Sequence, residues 1–183
     1  MNNNIRNVCL IGHSSHGKTS VAEGMLYFTK ATNRLGKVSE GNTVLDYDAE
    51  EKKRGFSISL SVAPIDWKGK KINVIDTPGY LDFSGEVSQG LRVAGSAVIV
   101  VDGKAGVEVG TELAWEKVVE YKVPRAFFIN KFDDDECRFA RAFKELREAF
   151  GVSVCPVLAR FHAGHGLLGK FFDPGPGDFL TQL

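Results

Sequence analysis

Short runs that are apolar at nearly every position alternate along the chain with stretches of helical periodicity. The apolar runs fall at residues 8–11, 58–65, 72–75, 97–101, 126–129 and 152–157, and such unbroken runs predict strands covered on both faces. Helical spacing predicts helices over 18–30, 83–94, 108–121 and 134–150; in the last, Phe139, Phe143, Leu146 and Phe150 form one stripe with charges opposite. The alternation predicts an α/β fold, a mostly parallel sheet with helices on both faces. Residues 34–54 lack periodicity and read as a long loop, a feature often tied to function in a compact domain. From Arg160 the pattern lapses, with five glycines and two prolines to the end, which predicts a poorly ordered tail over 160–183.

The chain has 183 residues, enough for one full hydrophobic core. Its 23 basic residues balance 23 acidic ones, so no overall field argues for DNA or an anionic membrane as a partner. Neither a membrane span nor a signal peptide is visible, and a cytoplasmic protein is expected. Cys9, Cys137 and Cys155 are odd in number and far apart, which argues against a disulfide or metal role.

Three short motifs carry chemistry. Gly12-His13-Ser14-Ser15-His16-Gly17-Lys18-Thr19-Ser20 follows a strand and opens a helix, the context a P-loop requires. Its backbone N–H groups would hold phosphate oxygens, Lys18 would reach the β- and γ-phosphates, and Thr19 would ligate Mg²⁺. Asp76-Thr77-Pro78-Gly79 places a carboxylate at a strand's C-terminal end, where Asp76 serves Mg²⁺ and the Gly79 N–H a γ-phosphate. Asn130-Lys131-Phe132-Asp133 also follows a strand. The Asp133 carboxylate can accept from guanine N1–H and its exocyclic amine, a donor pair adenine lacks.

With these motifs in order the chain resembles the GTP-binding domain of translational GTPases, most closely elongation factor G and its paralogues. The resemblance spans about residues 7–158 and also rests on RGFSIS at 54–59, DTPGYLDF at 76–83 and DGKAGVEVGTELAW at 102–115. It implies a P-loop NTPase fold, a GTP-binding domain over 1–159, switch segments at 34–59 and 76–90, GTP and GDP as substrate and product, Mg²⁺ held by Thr19, Ser57 and Asp76, and the ribosome as partner. Lys18, Gly79 and Tyr80 are the implied catalytic residues. Three departures stand out. Ser57 replaces a threonine with its hydroxyl kept, Ser15 replaces an aspartate, and Tyr80 stands where a histidine usually orients the attacking water. A phenol titrates near 10, which predicts slow intrinsic hydrolysis.

The family's late Ser-Ala guanine-pocket motif is not evident after Val157, nor are the further domains of an elongation factor, so an N-terminal fragment is expected. A binding module without turnover is the competing reading, and NKFD disfavours an ATPase. Lys52-Lys53-Arg54 fits either RNA phosphates or a solvated loop. His162 and His165 lack companions for a metal. The acids at 133–136 are expected to favour the N-terminus of the next helix, the side chains of His13 and His16 to face solvent, and Trp67 and Trp115 to pack.

Overall fold

A computed structural model describes residues 4–156. Five strands, β1 (Ile5–Ile11), β2 (Ser61–Trp67), β3 (Lys70–Asp76), β4 (Ser96–Asp102) and β5 (Arg125–Asn130), form one sheet in the order β2-β3-β1-β4-β5. Every neighbouring pair is parallel except β2–β3. The exception follows from sequence: Pro64 has no N–H to give to a second neighbour, so its strand belongs at an edge. The burial of β2 alternates along its length, as expected of an edge strand with one face on the core.

The helices are α1 (Lys18–Phe28), α2 (Ala49–Arg54), α3 (Ser84–Val93), α4 (Val109–Glu120) and α5 (Phe139–Phe150). Successive strand side chains point to opposite faces and build two cores. Cys9, Ile11, Ile75, Ile99 and Val101 pack with Leu91 of α3, Ala114 and Val118 of α4, and Leu146 of α5. Leu10, Val74, Ala63 and Ile65 pack with Ala22 and Leu26 of α1. Trp115 stacks on Phe127 and touches Phe150, with the Arg125 guanidinium 4.1 Å above its ring, and Trp67 packs on Phe28. Both tryptophans are therefore packing residues.

Four expectations are corrected. The long loop contains α2, started by a capping box in which the Asp48 side chain accepts from backbone N–H groups and Glu51 reaches back to Asp48 N–H. Lys52, Lys53 and Arg54 thus form its last turn, where positive charge suits the negative helix end, and Arg54 also pairs with Glu50. Helix α5 begins at Phe139, not residue 134, and its first turn holds no acid; Asp134 and Glu136 instead pair with Lys104. Its deepest positions are Ala142 and Leu146, while Phe139 is partly exposed. Residues 152–156 form no strand, although Val154 still packs on the larger core. The tail at 160–183, with His162 and His165, lies outside the described residues, as does the region searched for the late Ser-Ala motif. Among the described residues no helix is long and apolar enough to cross a membrane.

Candidate nucleotide site

The parallel strands all end on one edge of the sheet, and each end delivers a motif: Gly12 after β1, Asp76 at the end of β3, Asp102 of β4 and Asn130 of β5. In open α/β sheets this edge is where ligands bind. Residues 12–17 turn between β1 and α1, whose N-terminal N–H groups attract an anion. Two glycines are required by the turn. Gly12 has φ +135° and a side chain there would strike the Val100 carbonyl; Gly17 has φ +88° and a side chain would strike the Asn130 amide. Ser15, at φ +60°, adopts the left-handed region without glycine's freedom, at a cost on the order of 1 kcal/mol.

Lys18 lies in this loop almost fully buried, its Nζ donating to Gly12 O at 3.1 Å and His13 O at 2.7 Å. Burial pushes its ammonium down to about 8, against a smaller opposing pull from Asp76. The loop of residues 76–79 lies directly against it: a Cβ on Gly79 would come within 2.6 Å of Ser14 Cα, so only glycine permits this approach. Thr77, fully buried, fixes the crossing by donating to Leu10 O at 2.7 Å.

All three expected metal ligands converge. Thr19 Oγ1 donates to Asp76 Oδ2 at 2.6 Å and lies 3.1 Å from Ser57 Oγ, which donates to Asp46 Oδ1 at 2.7 Å. Asp76 is 2% exposed and its Oδ1 has no hydrogen-bond partner. Burial pushes its carboxyl up to about 7, despite the Thr19 hydrogen bond and the Lys18 charge. An orphaned buried carboxylate oxygen beside two hydroxyls is a set of hard oxygen donors, which fits a hard divalent cation such as Mg²⁺.

Ser57 reaches Thr19 because buried carboxylates not evident from the sequence fix the segments on both sides of it. Glu23 of α1, fully buried, accepts from the N–H groups of Val44 and Leu45 through Oε1. Glu51 of α2 accepts from those of Ile58 and Ser59. Asp46 takes the hydroxyls of Thr43 and Ser57. Tyr80 is 40% exposed and packs its ring on Phe56, with centroids 4.6 Å apart. The residue expected to order water thus touches the neighbour of Ser57.

The residues of the Asn130–Asp133 motif make different contacts. Asn130 is buried and its Nδ2 donates to His16 O at 2.9 Å, tying β5 to the phosphate loop. Lys131, at φ +62°, sets its Nζ 2.7 Å from Asp102 Oδ2. Burial alone would push the Asp102 carboxyl up, but the Lys131 ammonium and the N–H groups of Lys104 and Ala105 outweigh it and hold it below its ordinary value. Asp133 is exposed in the turn after β5. The expectation that His16 faces solvent is corrected: its ring is 2% exposed, between Val100 O and Glu108. His13 is half-buried, with its Nδ1 accepting from Gly110 N–H. The clue in the sequence was the glutamate of GVEVG, which reads as an ordinary helix start.

Comparison with known proteins agrees with this geometry. Elongation factor G of Granulibacter bethesdensis is 39% identical over 165 residues, covering 90% of this chain and 24% of that protein. Mitochondrial ribosome-releasing factor 2 of Bos taurus is 41% identical over 162 residues, covering 88% of this chain and 21% of that protein. The chain therefore spans under a quarter of the length of these relatives. A crystal structure of a Thermus thermophilus protein superimposes with a TM-score of 0.77 at 38% identity, over 80% of this chain and 22% of that one. The sequence profile of the elongation factor Tu GTP binding domain matches residues 3–172, continuing past residue 158, where the motif resemblance ends. With nearly the whole chain matched and the three motifs on one sheet edge, this protein belongs to the elongation factor Tu GTP-binding domain family.

Proposed function

We propose that the chain binds GTP and hydrolyses it to GDP in a Mg²⁺-dependent reaction, as the nucleotide-binding part of a translation factor that acts on the ribosome. The observation that carries this reading is the meeting of Thr19, Ser57 and Asp76, with Thr19 Oγ1 2.6 Å from Asp76 Oδ2 and 3.1 Å from Ser57 Oγ and one Asp76 oxygen without a partner, beside the loop of residues 12–20. Backbone N–H groups of residues 12–20 and Lys18 hold the phosphates. Thr19, Ser57 and Asp76 hold Mg²⁺, which when bound offsets the charge that develops on the transferring phosphoryl group. Gly79 brings its N–H to the γ-phosphate side of the loop, and Tyr80 places its phenol as a hydrogen-bonding group for the attacking water. Asn130 and Lys131 shape the base site and Asp133 reads the guanine edge. No membrane or DNA contact enters the scheme. The protein is placed in the compartment of its ribosomes, the cytoplasm.

The direct test is GTP turnover by the chain with and without ribosomes. Stimulation by ribosomes is expected, on a slow intrinsic rate set by Tyr80; turnover unchanged by ribosomes would count against the partner. The base assignment has its own test. Asp133→Ala is expected to weaken GDP binding about 100-fold, the loss of two charge-assisted hydrogen bonds, and to narrow the preference over ADP, read by competition against a fluorescent GDP analogue.

A further inference from the structure

His16 and Glu108 are 92 positions apart yet meet with Nε2 2.5 Å from Oε2. The other ring nitrogen, Nδ1, lies 3.2 Å from the Val100 carbonyl. A carbonyl oxygen only accepts, so Nδ1 carries a hydrogen. Nε2 then faces a carboxyl oxygen, and a hydrogen lies between the two atoms in this short contact. A second histidine stands on the far side of Glu108, beyond hydrogen-bond reach. Glu108 Oε1 stands 3.7 Å from His13 Nε2, and His13 Nδ1, an acceptor for the Gly110 N–H at 3.2 Å, leaves its own hydrogen on Nε2, toward the carboxylate. Burial holds the His13 imidazole below its ordinary value, the neutral form this pattern needs. Hydrogen bonds therefore join His16 to β4 and to Glu108, and a separate one joins His13 to Gly110 in the first turn of α4. Two further charges stand close by: the Lys18 ammonium, on Gly12 O and His13 O, and Glu145, whose carboxylate accepts from Val107 N–H.

The His16 peptide is held as well, its carbonyl by Asn130 of β5. The loop around it has positive φ at Gly12, Ser15 and Gly17; the glycines give a free loop many competing conformations, and Ser15 adopts its own only rarely. A loop held in its binding geometry before the ligand arrives avoids the ordering cost at binding, and one that is not has its apparent affinity lowered by the fraction competent.

We infer that His16 and Glu108 form a positioning clasp that holds the phosphate loop in its nucleotide-gripping geometry, so that a residue opening α4 sets guanine-nucleotide affinity without touching the nucleotide. The inference rests on the nucleotide-binding reading above. Neither residue is catalytic: their side chains bond to each other and to backbone, and the effect falls on binding.

The test measures GDP affinity of the whole chain by calorimetry, with nucleotide-free thermal unfolding of each variant. Glu108→Ala and His16→Ala are each expected to weaken GDP about tenfold, and the double variant no more than either alone, as for partners in one interaction. Glu108→Gln is expected to bind within about twofold of the parent, because its amide N–H can donate to a neutral Nε2. Additive losses in the double variant, or a Glu108→Gln as weak as Glu108→Ala, would overturn the clasp. So would a loss of nucleotide-free stability in Glu108→Ala matching its loss of affinity, which would make Glu108 merely the cap of α4. A parent chain that binds no GDP would defeat the nucleotide reading itself, whereas a parent that binds alongside unaffected variants defeats the clasp alone.

Discussion

Lys18→Ala is expected to lower GTP turnover on the order of 1,000-fold without weakening the fold. The lysine is the one side-chain ammonium of the phosphate loop, and it is nearly buried, with two backbone carbonyls as partners. Phosphoryl transfer leaves a protein little to do except position groups and neutralise charge, and a buried cation acts there with little solvent screening. The same burial costs stability. Its ammonium titrates at about 8 in the folded chain against 10.5 ordinarily, so the folded state holds fewer protons between those values and gains stability as pH rises through them. Below pH 8 the charged lysine therefore opposes folding, and alanine removes that opposition at the expense of two hydrogen bonds. The expected signature is a chain with an unchanged or higher thermal midpoint near pH 7 and almost no turnover, read by phosphate release and calorimetry on the same preparation. Turnover within about tenfold of the parent would remove Lys18 from the mechanism.

What the sequence disclosed about this site follows from the range of the interactions. The phosphate loop, DTPG and NKFD are local patterns at strand ends, and the parallel sheet puts those ends on one edge, so their residues were legible. Pairings across long separations were not. His16 looked like a solvent-facing loop residue because nothing within a few positions suggests a partner, and Glu108 lies 92 residues away. Glu23 sits on the inward face of α1 and its partners are main-chain N–H groups of a segment without periodicity, which no side-chain pattern can announce. Helix α2 was missed for a different reason. Its six residues are nearly all charged, so the hydrophobic period is silent, and only the Asp48-x-x-Glu51 box marks the start. The acids after Asp133 were assigned to a helix terminus by proximity in sequence, yet the helix starts later and Lys104 takes two of them.

Asp76→Asn separates the needs of folding from those of chemistry. The Asp76 carboxyl is fully enclosed, one oxygen without a partner, and titrates at about 7 in the folded chain against 3.8 ordinarily. A carboxyl raised in this way favours the folded state fully below its unfolded value and loses that contribution as pH rises through the folded one. Between about pH 4 and 7 the metal-free chain therefore loses stability, by up to about 4 kcal/mol in the limit of no relaxation. Asparagine keeps an oxygen for the Thr19 hydroxyl but carries no charge, so near pH 7.5, without metal or nucleotide, the variant is expected to be the more stable by about 2 kcal/mol, a rise of roughly 4–8 °C in midpoint. Near pH 4, where the parent's Asp76 is itself protonated, the difference is expected to vanish. Excess Mg²⁺ and GDP should reverse the order, because binding to the native state stabilises the parent by mass action, and GTP turnover of the variant should fall about 1,000-fold with the loss of the charged ligand. Thermal unfolding at the two pH values, repeated with Mg²⁺ and GDP, gives the three stability comparisons, and phosphate release gives the turnover. A metal-free variant less stable than the parent near pH 7.5 would mean that the buried carboxylate is matched by the protein alone, and that Thr19, Ser57 and Asp76 form a hydrogen-bonded lock instead of a cation site.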